Sequence, residues 1–125
     1  MGRAVQSGPV LNPSFHDEPV GDWHLLRVQG EIDMATAPKL RQEIIALVGQ
    51  GSTRIIVDLE GVEFIDSTGL GVLVGAVKRV RTLEGALRVV CQRPNLVELF
   101  ELTKLTSVFS VFETVELAAS SPTEP

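Results

Sequence analysis

Cysteine, histidine and most aromatic residues are scarce in this 125-residue sequence, which has one cysteine, two histidines, one tryptophan and no tyrosine. The single Cys91 has no partner for an internal disulfide, which is typical of a protein from a reducing compartment. His16 and His24 both lie in the first quarter of the chain and do not follow a metal-ligand spacing. The sequence therefore predicts neither a disulfide framework nor a metal site.

Long apolar runs are also missing. The most apolar stretch runs from Leu70 to Val77 and ends at Lys78, far short of the roughly 20 residues that cross a bilayer. The first residues lack the apolar core of a secretory signal, and Gln6 stands where the myristoylation pattern needs serine or threonine. We therefore expect a cytoplasmic protein.

Positive charge is in deficit, with 11 basic residues against 16 acidic ones and a net charge of −5. Such a surface repels phosphate backbones and anionic lipids, so neither nucleic acid nor membrane is expected as a partner. Hydrophobic residues make up 44% and charged residues 22%, a globular balance. The aperiodic ends predict a flexible lead-in of residues 1–14, one domain over 15–119 and a flexible tail of residues 120–125.

Apolar periodicity predicts alternating strands and helices. Strands are predicted near Phe15 and over residues 23–28, 54–59, 86–91 and 108–112. Helices are predicted to start after a Thr36 cap, at Leu70 and at Pro94. This alternation implies an α/β fold with a mostly parallel, mixed sheet of about four to five strands.

One face of the second predicted helix is apolar, and the helix ends in basic residues. We expect Leu70, Leu73, Val74 and Val77 to be buried, together with Leu96, Leu99 and Phe100 of the third helix. The basic residues are expected to be exposed; they are Lys78, Arg79 and Arg81.

Two loops are predicted at the carboxyl edge of the sheet, where function gathers in such folds. One spans residues 30–35 and the other residues 59–69, and neighbouring parallel strands would place them side by side. Ser67 and Thr68 form a hydroxyl pair at the turn from strand to helix. From spacing alone they are expected to cap the helix, and presentation in a surface groove for modification is the alternative.

Glycine is unusually frequent in the second helix. Gly69, Gly71 and Gly75 each cost about 0.8–1 kcal/mol relative to alanine in a helix interior. Close approach of a neighbouring strand or helix is the expected reason, above all for Gly75, and approach of a partner or of a phosphate at the helix N-terminus is the alternative. The spacing does not fit the dinucleotide fingerprint or a Walker loop, so no nucleotide site is predicted.

Carboxylates offer the remaining candidates for chemistry. Asp58 in a predicted strand leaves open a receiver-like phosphoaspartate module, although no lysine ends the last strand. Asp33 and Asp66 are candidates for a carboxylate pair, yet capping and solvation are their commoner roles. Because no base and nucleophile pair is visible, we expect no enzyme and no cofactor.

Three segments together resemble a STAS domain. They are Gly30-Glu31-Ile32-Asp33, Val57-Asp58-Leu59 and the run from Phe64 through Asp66-Ser67-Thr68-Gly69-Leu70-Gly71 to Leu73. More narrowly, the chain looks like the bacterial anti-sigma factor antagonists, or anti-anti-sigma factors, of the sporulation and general-stress type. The resemblance implies a single domain with helices mainly on one face of the sheet.

The resemblance also implies a regulatory mechanism. The unmodified protein would bind an anti-sigma factor that is itself a serine kinase, and so release a sigma factor to activate transcription. The kinase would phosphorylate the first hydroxyl after the motif aspartate, here Ser67, and a serine phosphatase would reverse the switch. The implied contact residues are Asp33, Asp66, Ser67, Thr68, Gly69 and Leu70. A STAS subunit of another signalling assembly or of a lipid-transport complex is the alternative.

Overall fold

The computed structural model describes residues 13–122. Its strands are β1 (Ser14–Val20), β2 (Trp23–Ile32), β3 (Arg54–Ile65), β4 (Ala86–Val90) and β5 (Ser110–Phe112). Its α-helices are α1 (Ala37–Gly49), α2 (Ser67–Thr82), α3 (Pro94–Leu102) and α4 (Val115–Ser120). A short 3-10 turn, Leu105–Ser107, separates α3 from β5.

The five strands form one sheet in the order β1-β2-β3-β4-β5. The first pair is an antiparallel hairpin closed at Val20 and Trp23, with Gly21 at a positive φ of 60° in its turn. The other three pairs are parallel, because α1, α2 and α3 each carry the chain back to the end of the sheet at which the preceding strand began. The predicted α/β fold with a mostly parallel mixed sheet is confirmed.

The larger core lies between one face of the sheet and helices α1, α2 and α3. Leu40 and Ile44 of α1 and Leu73 and Val77 of α2 pack in one cluster with inward residues of the central strands. Leu96 and Phe100 of α3 complete this layer. Three helices on one face agree with the predicted arrangement of helices mainly on one side.

The opposite face of the sheet has a smaller core beneath α4. Trp23, Leu25, Ile56 and Val90 pack there against Ala118 of the helix. Arg88 is buried in the same layer, and its guanidinium lies 4.5 Å from the centroid of the Trp23 ring.

The first difference from the sequence prediction is the length of β3. We expected a loop over residues 59–69, whereas β3 continues to Ile65 and β2 to Ile32. Val62 and Ile65 still point into the core, and the pairing absorbs two register shifts on the way. Gly61 permits the close pairing, since a Cβ there would lie 2.6 Å from Cγ of Gln29.

The second difference concerns the helices and the last strand. Helix α2 begins at Ser67 rather than at Leu70, and β5 begins at Ser110 rather than at Val108, because residues 108–109 still belong to the turn that follows the 3-10 segment. Val74 and Leu99, expected in the core, are only half-buried. Both lie at the rim of their helix's apolar face, where solvent reaches one side. The three basic residues of α2 are exposed as predicted.

The predicted domain limits stay predictions. Residues 1–12 of the predicted lead-in lie outside the described residues, and Ser14 already belongs to β1. Ser121 and Pro122, in the predicted tail, have backbone oxygens that accept hydrogen bonds from Arg88 at 2.9 Å and 2.6 Å. Within residues 13–122, no helix combines the length and apolarity needed to cross a bilayer.

Candidate functional site at the carboxyl ends of β2 and β3

The two central strands end side by side. Ile32 at the end of β2 stands opposite Ile65 at the end of β3. The backbone N–H of Asp66 donates to the carbonyl of Ile32 at 3.1 Å and joins the two strand ends. The predicted neighbourhood of the two loops is therefore confirmed, although each loop is shorter than expected.

Asp66, and not either hydroxyl residue, caps helix α2. Its Oδ1 accepts the backbone N–H groups of Thr68 at 2.9 Å and Gly69 at 3.2 Å. The expectation that Ser67 or Thr68 caps the helix is wrong, because the helix starts earlier than predicted and so moves the cap position to Asp66.

The two neighbouring hydroxyls of the site differ in their contacts. The Thr68 hydroxyl donates to Oδ1 of Asp66. Ser67, the first residue of α2, is exposed, and its hydroxyl makes no hydrogen bond with any residue between 13 and 122. Of the pair, only Ser67 therefore offers an unengaged nucleophilic oxygen to an approaching protein.

The Asp66 carboxylate stays charged beside that hydroxyl. The hydrogen bond from the Thr68 hydroxyl is the main cause that lowers the pKa of Asp66 below its ordinary value of 3.8. Desolvation works against this, while the backbone N–H groups of Gly69, Thr68 and Met34 lower the pKa further.

Asp33 organises its own turn. Its Oδ1 accepts the backbone N–H groups of Ala35 at 2.9 Å and Thr36 at 3.1 Å. Thr36 stands at the predicted N-cap position of α1, but its hydroxyl donates to the carbonyl of Glu31 at 2.8 Å and does not cap the helix. Asp33 and Asp66 thus each accept backbone hydrogen bonds within their own turn. Among the described residues, no hydrogen bond joins Asp33 to Ser67.

Two of the predicted contact residues are buried. A Cβ on Gly69 would lie 2.6 Å from Ile65 and 2.7 Å from Ile32, so only glycine lets α2 start this close to the strand ends. Leu70 is 7% exposed and belongs to the main core. Gly69 and Leu70 are therefore buried beneath the site and offer a partner almost no surface.

The expected structural reason for glycine at the other two positions of α2 is not found. Among residues 13–122, a Cβ on Gly71 or on Gly75 would meet nothing within 4 Å outside the helix's own backbone. The prediction that Gly75 accommodates a neighbouring strand or helix is wrong, because that side of α2 is open.

Sequence reasoning missed two exposed apolar residues near the carboxyl ends of β2 and β3. Met34, in the loop after β2, is 75% exposed, and Phe64, near the end of β3, is 48% exposed. Both directly follow an acidic residue, Asp33 and Glu63, and that pattern was the available signal. Four acidic residues stand within three positions of them in the sequence at the ends of β2 and β3; these are Glu31, Asp33, Glu63 and Asp66. The edge thus combines two apolar side chains with negative charge.

The receiver-like alternative finds no support in the geometry. Asp58 lies within β3, where Arg27 approaches its Oδ2 to 3.7 Å and the N–H of Glu60 donates to its Oδ1 at 2.9 Å. It is thus engaged along the strand instead of standing at the carboxyl edge. Between residues 13 and 122, no three histidine, cysteine or acidic side chains gather as metal ligands would.

Proteins that resemble this chain in sequence or in fold include several anti-sigma factor antagonists. The anti-sigma-B factor antagonist of Bacillus subtilis is 39% identical over 75 residues, which are 60% of this chain and 68% of that protein. An anti-sigma factor antagonist from Mycobacterium paratuberculosis superposes with a TM-score of 0.81 at 31% identity, over 87% of this chain and 92% of that one. The Bacillus cell fate determinant SpoIIAA in its phosphorylated form gives a TM-score of 0.65 at 26% identity, over 85% and 96% of the two chains.

The STAS domain matches residues 17–118, which include all five strands in part or whole and the carboxyl edge with Asp33, Asp66 and Ser67. Because this match spans most of the chain and the folds superpose, the chain belongs to the STAS domain family.

Proposed function

We propose that this chain is an anti-sigma factor antagonist that acts by binding and not by catalysis. In its unmodified form it binds an anti-sigma factor with serine kinase activity, and a sigma factor is released to activate transcription. Phosphorylation of Ser67 ends the binding, and a serine phosphatase restores it. The observation that carries the proposal is the exposed Ser67 hydroxyl, without a hydrogen bond, at the first residue of α2. The named relatives support the anti-sigma factor as the partner.

The charge at the site explains why phosphorylation would act as a switch. A phosphoserine carries about −1.5 to −2 charges, and the amino end of α2 tolerates it within this chain. A partner surface adapted to a neutral hydroxyl would have to accept this charge next to the ionised Asp66. One like-charge contact at ~5 Å costs about 3 kcal/mol at an effective dielectric of 20. That cost alone corresponds to a roughly hundredfold loss of affinity.

The contact surface of the switch combines exposed and supporting residues. We assign Asp33, Asp66, Ser67 and Thr68 to its polar part. Gly69 and Leu70 act beneath it, because they hold the first turn of α2 against Ile32 and Ile65. Met34 and Phe64 add the exposed apolar area that protein interfaces use as anchors.

The test uses the purified chain and the kinase-type anti-sigma factors of the same genome. The unmodified chain and Ser67→Ala should bind one of them with similar affinity, and Ser67→Asp should bind about a hundredfold more weakly. Incubation with that kinase, ATP and Mg²⁺ should add one phosphate, which mass mapping should find on Ser67. Thr68→Val is the matched control, and it should still be phosphorylated.

Two outcomes would contradict the proposal. Phosphate on Thr68 with Ser67 unmodified would overturn the assigned acceptor. Binding to none of the anti-sigma factors would overturn the function itself and would favour a STAS subunit of another assembly.

A further inference from the structure

An open groove of about 390 Å³ runs between α1 and α2. Ile45 of α1 and Val72 of α2 line it with apolar surface, and Gly71 and Gly75 lie between them. Thr68, in the first turn of α2, also lines the groove and is the residue next to Ser67. The groove therefore begins at the switch and follows α2 along roughly three turns, or ~16 Å.

No contact within the described chain explains the glycines of this groove. Gly69 is needed against the strand ends, but a Cβ at Gly71 or Gly75 would point into open space. Glycine within a helix destabilises the helix relative to alanine, so both positions carry a cost without an internal benefit. Because neither residue has a side chain, the backbone of α2 is less covered on this side, and another backbone can approach it more closely.

The charge of the groove differs from that of the rest of the chain. Arg41 and Arg79 both line it, whereas the chain as a whole carries a net charge of −5. Neither guanidinium has an ion-pair partner among residues 13–122. Two exposed and unpaired cations beside an apolar groove fit an occupant that presents acidic groups at the edges of an apolar face.

We infer that this groove receives a helix of the anti-sigma factor, of about three turns, with an apolar face and flanking acidic residues. The inference rests on the proposed function and adds to it a second contact, continuous with Ser67 through Thr68. An amphipathic helix that lies in an apolar groove is a recurrent mode of recognition. Small residues at a helix contact permit the shorter end of the usual 8–10 Å range of axis separations.

The test replaces both glycines by alanine and measures stability and binding together. Gly71→Ala/Gly75→Ala should raise the Tm by several degrees, because alanine favours the helix. The same variant should bind the anti-sigma factor captured by the unmodified chain at least tenfold more weakly. Gly49→Ala is the matched control. Gly49 is the last residue of α1, a Cβ there would also meet no described atom within 4 Å, and it does not line the groove. The affinity of the Gly49→Ala variant for the anti-sigma factor should therefore stay unchanged.

A second pair of variants tests the charge. Arg41→Glu and Arg79→Glu should each weaken binding about tenfold or more. Lys78→Glu makes the same charge change at an exposed residue that does not line the groove, and it should have little effect.

Three results would overturn the inference in different ways. Wild-type affinity in the double alanine variant would show that the helix does not use the groove. A loss of self-association in sedimentation, with binding unchanged, would mean that a second copy occupies it. Failure of the unmodified chain to capture any anti-sigma factor would overturn the proposed function and this inference together.

Discussion

The Thr68 hydroxyl donates to the same oxygen of Asp66 that accepts the Thr68 backbone N–H. Thr68 is thereby held by both its backbone and its side chain. Ser67, one residue earlier, is exposed and has no hydrogen bond to any described residue. Two hydroxyls that are equivalent by sequence position thus differ chemically, and this difference is the basis for choosing Ser67 as the acceptor.

Replacement of the helix cap should change how stability depends on pH. The pKa of Asp66 is lower in the folded chain than its ordinary value of 3.8, chiefly because of the Thr68 hydroxyl. The stability it contributes is therefore fully present above pH 3.8 and is lost as the pH falls through the folded-state pKa. Asp66→Asn should lower the Tm at pH 7, and the difference from the unmodified chain should shrink towards pH 2.

Thermal unfolding monitored by circular dichroism between pH 2 and pH 7 measures this effect. Asp22→Asn, in the turn between β1 and β2, is the control for loss of one surface carboxylate. A Tm difference for Asp66→Asn that stays constant over this range would contradict the assigned role of the ionised cap.

The exposed apolar residues at the ends of β2 and β3 should matter for binding and not for folding. Met34→Ser and Phe64→Ser should each weaken anti-sigma factor binding about tenfold or more, because truncation of an apolar anchor removes contact with the partner. Leu83→Ser is the matched control, since Leu83 is 49% exposed but lies at the opposite end of α2. Calorimetric titration of the four proteins gives the affinities, and equal losses for all three variants would contradict the assignment.

The apolar face of α2 should carry much of the stability. Leu73 has no exposed surface, so Leu73→Ala should lower the free energy of unfolding by about 2–5 kcal/mol. Val74→Ala is the control on the adjacent, half-buried position, and it should cost clearly less. Urea unfolding measures both, and a similar cost for the two variants would mean that the core boundary on α2 is drawn wrongly.

Buried Arg88 should hold α4 on the sheet. It is 4% exposed, and its guanidinium donates to the carbonyls of Ala118 at 2.5 Å, Ser121 at 2.9 Å and Pro122 at 2.6 Å. Arg88→Met keeps much of the side-chain volume but leaves these carbonyls without their donor. Ala118 is the buried acceptor, and an unsatisfied buried carbonyl costs about 1–3 kcal/mol, so α4 should separate from the sheet before the rest of the chain unfolds.

Hydrogen exchange of the α4 backbone N–H groups measures that separation. Arg54→Met removes another guanidinium from the Trp23 ring, at 4.6 Å from its centroid, and serves as the control. Its α4 exchange should stay slow, and equally fast exchange in both variants would argue against a specific role of Arg88.

Several features followed from the sequence alone because they depend on local patterns. The spacing of Leu70, Leu73 and Val77 defines an apolar helical face wherever the helix is placed, and these residues are indeed buried. The order of strands and helices implied a parallel sheet, because each helix between two strands must return the chain to the same edge. The motif around Asp66 and Ser67 likewise identified the family and the edge of the sheet at which the site lies.

Other features were decided only by the tertiary structure, because they depend on elements that are distant in sequence. Gly69 and Gly71 look alike in the sequence, yet only Gly69 meets the strand ends of Ile32 and Ile65. The continued pairing with β2 carries β3 to Ile65, and this moves the cap of α2 to Asp66. In the sequence, Arg88 is only a charged residue within an apolar strand. Its role becomes visible in the fold, where α4 packs over it and Ala118 accepts its hydrogen bond. Hydrogen-bond partners and close approaches arise between surfaces that only the assembled fold brings together, and no local period encodes them.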